Sequence, residues 1–131
     1  MLFDGGDDPT CKHTCALLLV SGDNIENDEF TSQFGMPPTE AGKAGECSCW
    51  RVSSKRLVQS TNAERHIHWL LDQIEGKKQT ISDLKRRGCQ IDLGCEWQGH
   101  SQSDGTGPLL TAETLRRIAD FDLNLIFYFQ R

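Results

Sequence analysis

Two rhythms of apolar and polar positions run along the chain. Between Thr61 and Gly76, Ala63, Ile67, Leu70, Leu71 and Ile74 recur at helical spacing, while Glu64, Arg65, His68, Asp72 and Glu75 fall elsewhere on the wheel. One stripe of period 3.6 predicts an amphipathic helix, with Trp69 at the edge of the stripe. Thr61 and Glu64 have the spacing of a capping box, and Gly76 supplies a stop. Three shorter helices follow from similar signals. Phe30 and Phe34 lie four apart between Asn27 or Asp28 and Gly35. Thr80 and Asp83 offer a cap pair for a segment holding Ile81 and Leu84 and closing at Gly88. Thr111 caps a last helix, with Leu110 and Leu115 placed for a hydrophobic staple and Leu115, Ile118 and Ala119 as its inner face.

The other rhythm has a period of two. Cys89, Ile91, Leu93, Cys95 and Trp97 alternate with Gln90, Asp92, Gly94, Glu96 and Gln98, which predicts a strand with one dry and one wet face. Glu46–Ser53 alternates likewise, Ser48, Trp50 and Val52 against Cys47, Cys49 and Arg51, and Lys55–Gln59 extends it or forms a short edge strand. The run Ala16–Val20 is apolar throughout and reads as a buried central strand. Leu123–Gln130 is apolar on both faces, which predicts an interior strand. Residues 1–14 read as a mobile tail, 15–131 as one domain, and the segments 36–45 and 99–108 as loops. The order predicts an α+β fold: a single, mostly antiparallel sheet of about four strands, helices packed on one face, a ferredoxin-like variant.

A length of 131 residues suits one core. The formal charge of −5 argues against nucleic-acid or anionic-membrane partners, which call for clustered Lys and Arg. Met1–Phe3 runs straight into Asp4–Asp8 without a signal-peptide pattern, so a cytoplasmic location is expected, and there the six cysteines are expected as thiols.

The order of elements, with Leu19–Gly22, Gly35–Thr39, Trp50–Ser54, His68–Leu71, Gly94–Trp97 and the Leu109–Phe129 close, resembles the bacterial family known as domain of unknown function 4279. The resemblance spans roughly residues 15–130. It implies a bacterial, cytoplasmic, single-domain α+β protein and carries over no catalytic residue.

Candidate chemistry is sparse. Cys11, Cys15, Cys47 and Cys49 could offer four thiolates to zinc, but their C-x₃-C and C-x-C spacings are not those of paired zinc knuckles and the first pair falls at the expected tail; Cys47, Cys49, Cys89 and Cys95 are better read as small buried strand residues. His66 and His68 diverge on a helix and read as surface or boundary residues; His100, among Ser101 and Ser103, lacks a nucleophile elbow. No catalytic residue, metal or cofactor is expected. The carboxylates Asp23, Glu26, Asp28, Asp92, Glu96 and Asp104 suggest an acidic docking surface. The expected function is a non-enzymatic inhibitor of the immunity type, occluding a basic toxin. The alternative is a ligand-binding domain or small enzyme, with a pocket near loops 36–45 and 99–108 lined by Trp50, Trp97 and Tyr128.

Overall fold

The computed structural model describes residues 6–100 and 107–130. The strands are β1 (Cys11–Asp23), β2 (Glu40–Ala44), β3 (Cys47–Ser53), β4 (Gln90–Gly99) and β5 (Asn124–Gln130). The helices are α1 (Asn27–Phe34), α2 (Ala63–Gln73), α3 (Lys78–Arg86) and α4 (Ala112–Asp120). The strands form one sheet in the order β2-β3-β1-β4-β5, antiparallel except for the parallel pair β4–β5.

The α+β class, the helix-covered face and the mostly antiparallel, ferredoxin-like order stand as expected; the strand count is five, not about four. The extra strand is β2, inside the segment expected as a loop. Its sequence, Glu-Ala-Gly-Lys-Ala, has no apolar alternation and all five residues are exposed. It exists because Gly45, at φ +63°, lets the chain turn in two residues and pair back on β3. Lys55–Gln59, expected to extend β3 or to form a short edge strand, does neither, and the chain leaves the sheet after Ser53. β1–α1–β2 straddles β3, as a ferredoxin-like half would. β3–α2–α3–β4 straddles β1 in the same way, so β2-β3-β1-β4 is the whole ferredoxin-like order, to which α4 and β5 add a fifth strand parallel to β4.

β1 begins at Cys11, so the last four residues of the expected tail are strand. Asp7 and Asp8 are tied down as well: Ser60 Oγ donates to Asp7 Oδ1 at 2.8 Å, and the Asp8 amide donates to Thr61 Oγ1 at 3.0 Å. That contact employs Thr61, so the cap of α2 is Asn62, whose Oδ1 accepts from the Glu64 amide at 2.9 Å.

The core lies between the sheet and the helices. Leu18 sits opposite Val52 and Leu93, and Val20 opposite Trp50 and Ile91. Ile67, Leu70, Leu71 and Ile74 cover them, all fully buried. Phe30 and Phe34 of α1 pack on Trp50, the Phe34 ring stacked at 5.2 Å. α4 turns Thr114 and Ile118 inward, whereas Leu115 and Ala119, expected inside, are exposed. Gly22 is needed where β1 meets the α1 loop: a Cβ there would lie 2.8 Å from Cys89 Sγ and 3.0 Å from Ile25 Cγ2. Gly22→Ala is therefore expected to cost about 2 kcal/mol, since both neighbours are buried and cannot swing away; a urea titration checks this.

Two polar groups inside this layer were expected on the surface. His66 is 1% exposed. Ser54 Oγ accepts from the Ala16 amide at 2.9 Å and donates to His66 Nδ1 at 2.6 Å, while Nε2–H donates to the Ser60 carbonyl at 2.8 Å. The arrangement fixes a neutral imidazole, clamps α2 to β1 and holds the 54–62 segment. Glu64 is 2% exposed; its carboxylate accepts from the Thr111 amide at 2.7 Å, from Thr111 Oγ1 at 2.9 Å and from Thr114 Oγ1. It caps the start of α4 from a different helix. Thr114 also accepts from His68 Nε2–H at 2.9 Å, and Arg117 donates to His68 Nδ1 and to Asp72.

Burial holds both imidazoles below the usual histidine range, the Arg117 charge adding to the effect at His68. The unfolded chain then binds more protons as pH falls through the ordinary histidine value. The stability these groups contribute is complete above about pH 6.5 and is lost toward the lower folded-state value. A lower urea midpoint at pH 5.5 than at pH 7.5 is expected, and His66→Gln should flatten that slope.

Candidate functional site

The described helices occupy one face of the sheet. The other face carries the odd-numbered side chains of β1, Cys15, Leu17, Leu19 and Ser21, opposite Ser53, Arg51 and Cys49 on β3 and Glu96, Gly94, Asp92 and Gln90 on β4. β5 adds Ile126 and Tyr128. Gly94 sits at the centre. A Cβ there would lie 3.1 Å from the Tyr128 ring, 3.2 Å from Leu19 Cδ1 and 3.5 Å from Leu17 Cβ, so those three side chains close over bare backbone. They form an apolar stripe on a face that no described helix covers.

Three hollows flank the stripe. One of about 570 Å³ is walled by Leu19, Arg51, Asp92, Ile126, Tyr128 and the backbone of β2. A second, of about 500 Å³, lies over Leu17, between Arg51, Lys55 and Glu96. The third, of about 550 Å³, is bounded by Lys12, His13, Cys15 and the 58–61 segment that His66 holds. Arg51 and Glu40 are shared by the first two and Cys15, Lys55 and Glu96 by the last two, so the three adjoin in a row as a segmented trough, with the Arg51–Glu40 pair between the first two. From Ser21 to Lys12 along β1 it runs roughly 30 Å at the usual strand rise.

Its electrostatics are mixed. Arg51 pairs with Glu40 at 2.7 Å. Cys15 Sγ donates to Glu96 Oε1 at 3.4 Å, and burial together with that carboxylate pushes the thiol up to about 11. Cys95, on the opposite face, is raised to about 12 by burial. These thiols stay protonated at neutral pH and are poor nucleophiles. Ser54 and His66 touch, but the serine is fully buried and turned toward the core.

The acidic residues singled out in the sequence do not share one surface. Asp23, Glu26 and Asp28 gather at the end of β1 and the start of α1, where Lys43 offsets Glu26 at 3.0 Å. Asp92 is only 5% exposed and accepts from Gln90 Nε2 at 2.9 Å. Glu96 lies four residues further along β4, in the trough. Asp104 is outside the described residues, as is most of the expected loop 99–108. The anticipated trio of pocket aromatics divides. Trp50 faces the helices, donating from Nε1 to Thr31 Oγ1 at 3.0 Å, and Trp97 is buried against Phe129, whereas Tyr128 lines the trough.

The two cysteine pairs cannot share an ion. Cys47 lies opposite Asp23, eight residues along β1 from Cys15, roughly 26 Å away. Among the described residues no three His, Cys, Asp or Glu side chains gather as metal ligands. Likewise, no described helix is long and apolar enough to cross a membrane.

Leu17, Leu19, Arg51 and Ile126 are the trough residues that sequence reasoning passed over. Their signal was present: Ala16–Val20 and Leu125–Phe129 are apolar on both faces, and a strand with helices on one side needs only one apolar face.

A family model described as a domain of unknown function (DUF4279) matches residues 10–130, and the chain belongs to that family. No curated protein and no solved structure matches it.

Proposed function

We propose that this member of the DUF4279 family is a non-enzymatic protein-binding domain of the immunity type, docking a basic partner protein across the helix-free face of its sheet. The observation that carries the reading is the apolar stripe Leu19–Ile126–Tyr128, laid over the buried Leu17, inside a charged rim. Apolar centre with polar rim is the anatomy of a protein interface. A trough roughly 30 Å long exceeds what a small molecule fills and suits a segment or surface of another protein. Charge favours a basic partner. The lining of the trough is mixed, with Lys12, Arg51 and Lys55 beside Glu40, Asp92 and Glu96, so the chain's overall −5 and the carboxylates Asp23, Glu26 and Asp28, at and beyond the end of β1, would supply the steering. Inhibition would follow by occlusion, which needs no reacting group, and thiols held protonated suit that role.

Co-expression with the product of the adjacent gene tests the reading. The expected result is a one-to-one complex and relief of that product's growth arrest, both lost with Leu19→Arg. If deleting the gene for this chain beside an intact neighbour leaves growth unchanged, the immunity reading fails.

A second reading rests on the 570 Å³ hollow, where Arg51, Asp92 and Tyr128 line one wall system bounded by β2, within the segment first expected as loop 36–45. A small polar ligand held there would raise the melting temperature in a ligand screen, and Asp92→Asn would abolish the shift.

A further inference from the structure

We propose that β5 is a dimerisation edge, pairing antiparallel with β5 of a second copy of this chain to make one continuous ten-stranded sheet. The two edges of the sheet differ. β2 is short, wholly exposed, and carries Glu40 and Lys43, the charged side chains that keep an edge from pairing. β5, Asn-Leu-Ile-Phe-Tyr-Phe-Gln, has seven residues, no charge and no proline. It pairs with β4 on one side, and among the described residues no strand pairs with its other side. Alternate residues of an edge strand direct their N–H and C=O groups away from the sheet, so β5 offers a row of hydrogen-bonding groups.

Exposed apolar surface concentrates in the same place. Of the five large hydrophobic residues exposed among the described residues, Tyr128 and Phe129 lie on β5, and Leu109 and Leu115 on the segment and helix leading to it. Phe127 and Phe129 stack at 5.5 Å along the strand.

The sequence of β5 identifies the occupant, because it is complementary to itself. A twofold axis through Phe127 sets Ile126 opposite Tyr128 of the second copy, Leu125 opposite Phe129, and Asn124 opposite Gln130. Apolar residues then meet apolar residues on both faces, and carboxamides meet at the two ends. A shift by one residue in either direction sets an end carboxamide against an apolar side chain. The same pairing brings the two α4 helices side by side, with Leu109 and Leu115 near the new interface.

The test needs no docking partner, so its failure and that of the proposed function are separable. Sedimentation of the full chain at roughly 100 μM, where a modest interface is populated, should give twice the 14.7 kDa chain mass. The double variant Ile126→Glu/Tyr128→Glu sets carboxylates against carboxylates across the axis and should be a monomer with an unchanged circular dichroism spectrum. Ile126→Lys/Tyr128→Lys should behave the same way, and an equimolar mixture of the two should recover the dimer. Glu40→Lys on the β2 edge should leave the dimer intact. A wild-type monomer at that concentration, or a dimer that survives both double variants, overturns the proposal.

Discussion

Replacing Trp50 by alanine is expected to remove about 4 kcal/mol of stability, the cost of emptying a fully buried indole site. The side chain stands where the sheet receives α1: it stacks on Phe34, tilts against Phe30 and donates to Thr31 Oγ1. Those contacts join an eight-residue helix to β3, and a helix that short has little stability of its own. The melting temperature should fall by about 15 °C for a chain of this size. Trp50→Phe keeps the stacking and loses the hydrogen bond to Thr31, so it should cost only about 1–2 kcal/mol. Equal losses for the two variants would mean that the hydrogen bond, not the packing, holds α1.

Glu64→Ala is expected to cost about 3 kcal/mol, by stranding two donors of the half-buried Thr111 and one of the fully buried Thr114 at the start of α4. Glu64→Gln retains a carbonyl acceptor at the same place and removes the charge that complements the helix N-terminus, so a loss of about 1 kcal/mol follows. The damage should be local. Amide exchange in α4 and β5 should accelerate before that in α2, because α4 is the element this carboxylate holds. Uniform acceleration throughout the chain would show that Glu64 serves the whole core instead.

Both residues show what the sequence disclosed and what it withheld. The stripes of α2 and the alternation of β3 and β4 located the core, because burial on one face imposes a period on each element. Trp50 was visible in that way. Glu64 was not: its spacing from Thr61 fits a capping box, but the actual partners lie 47 and 50 residues away. Asp8 takes Thr61, and Asn62 takes the cap. Local spacing cannot report a competitor brought in by tertiary structure. β2 was illegible for a related reason, since five exposed residues without apolar alternation become a strand only because β3 presents an edge to them.

The trough was half legible. Apolar residues on both faces of β1 and β5 announce a second apolar surface and, from sequence alone, suggest an interior position. β1 is interior and β5 lies at the edge, yet on both strands the second apolar face is the helix-free one, where Ile126 and Tyr128 join Leu17 and Leu19. The acidic residues were chosen by charge alone, and three-dimensional placement divides them between an exposed end and the strand surface. The docking account therefore rests on the apolar stripe for affinity and on Asp23, Glu26 and Asp28 for encounter.

That division of labour can be measured with the purified complex. In calorimetric titrations Leu19→Arg should weaken binding by at least about 100-fold, the loss of a central apolar anchor, while Asp28→Lys should weaken it less than about tenfold and mainly slow association. Undiminished affinity in Leu19→Arg, with binding abolished by Asp28→Lys, would place the partner on the acidic end and contradict the assignment of the sheet face.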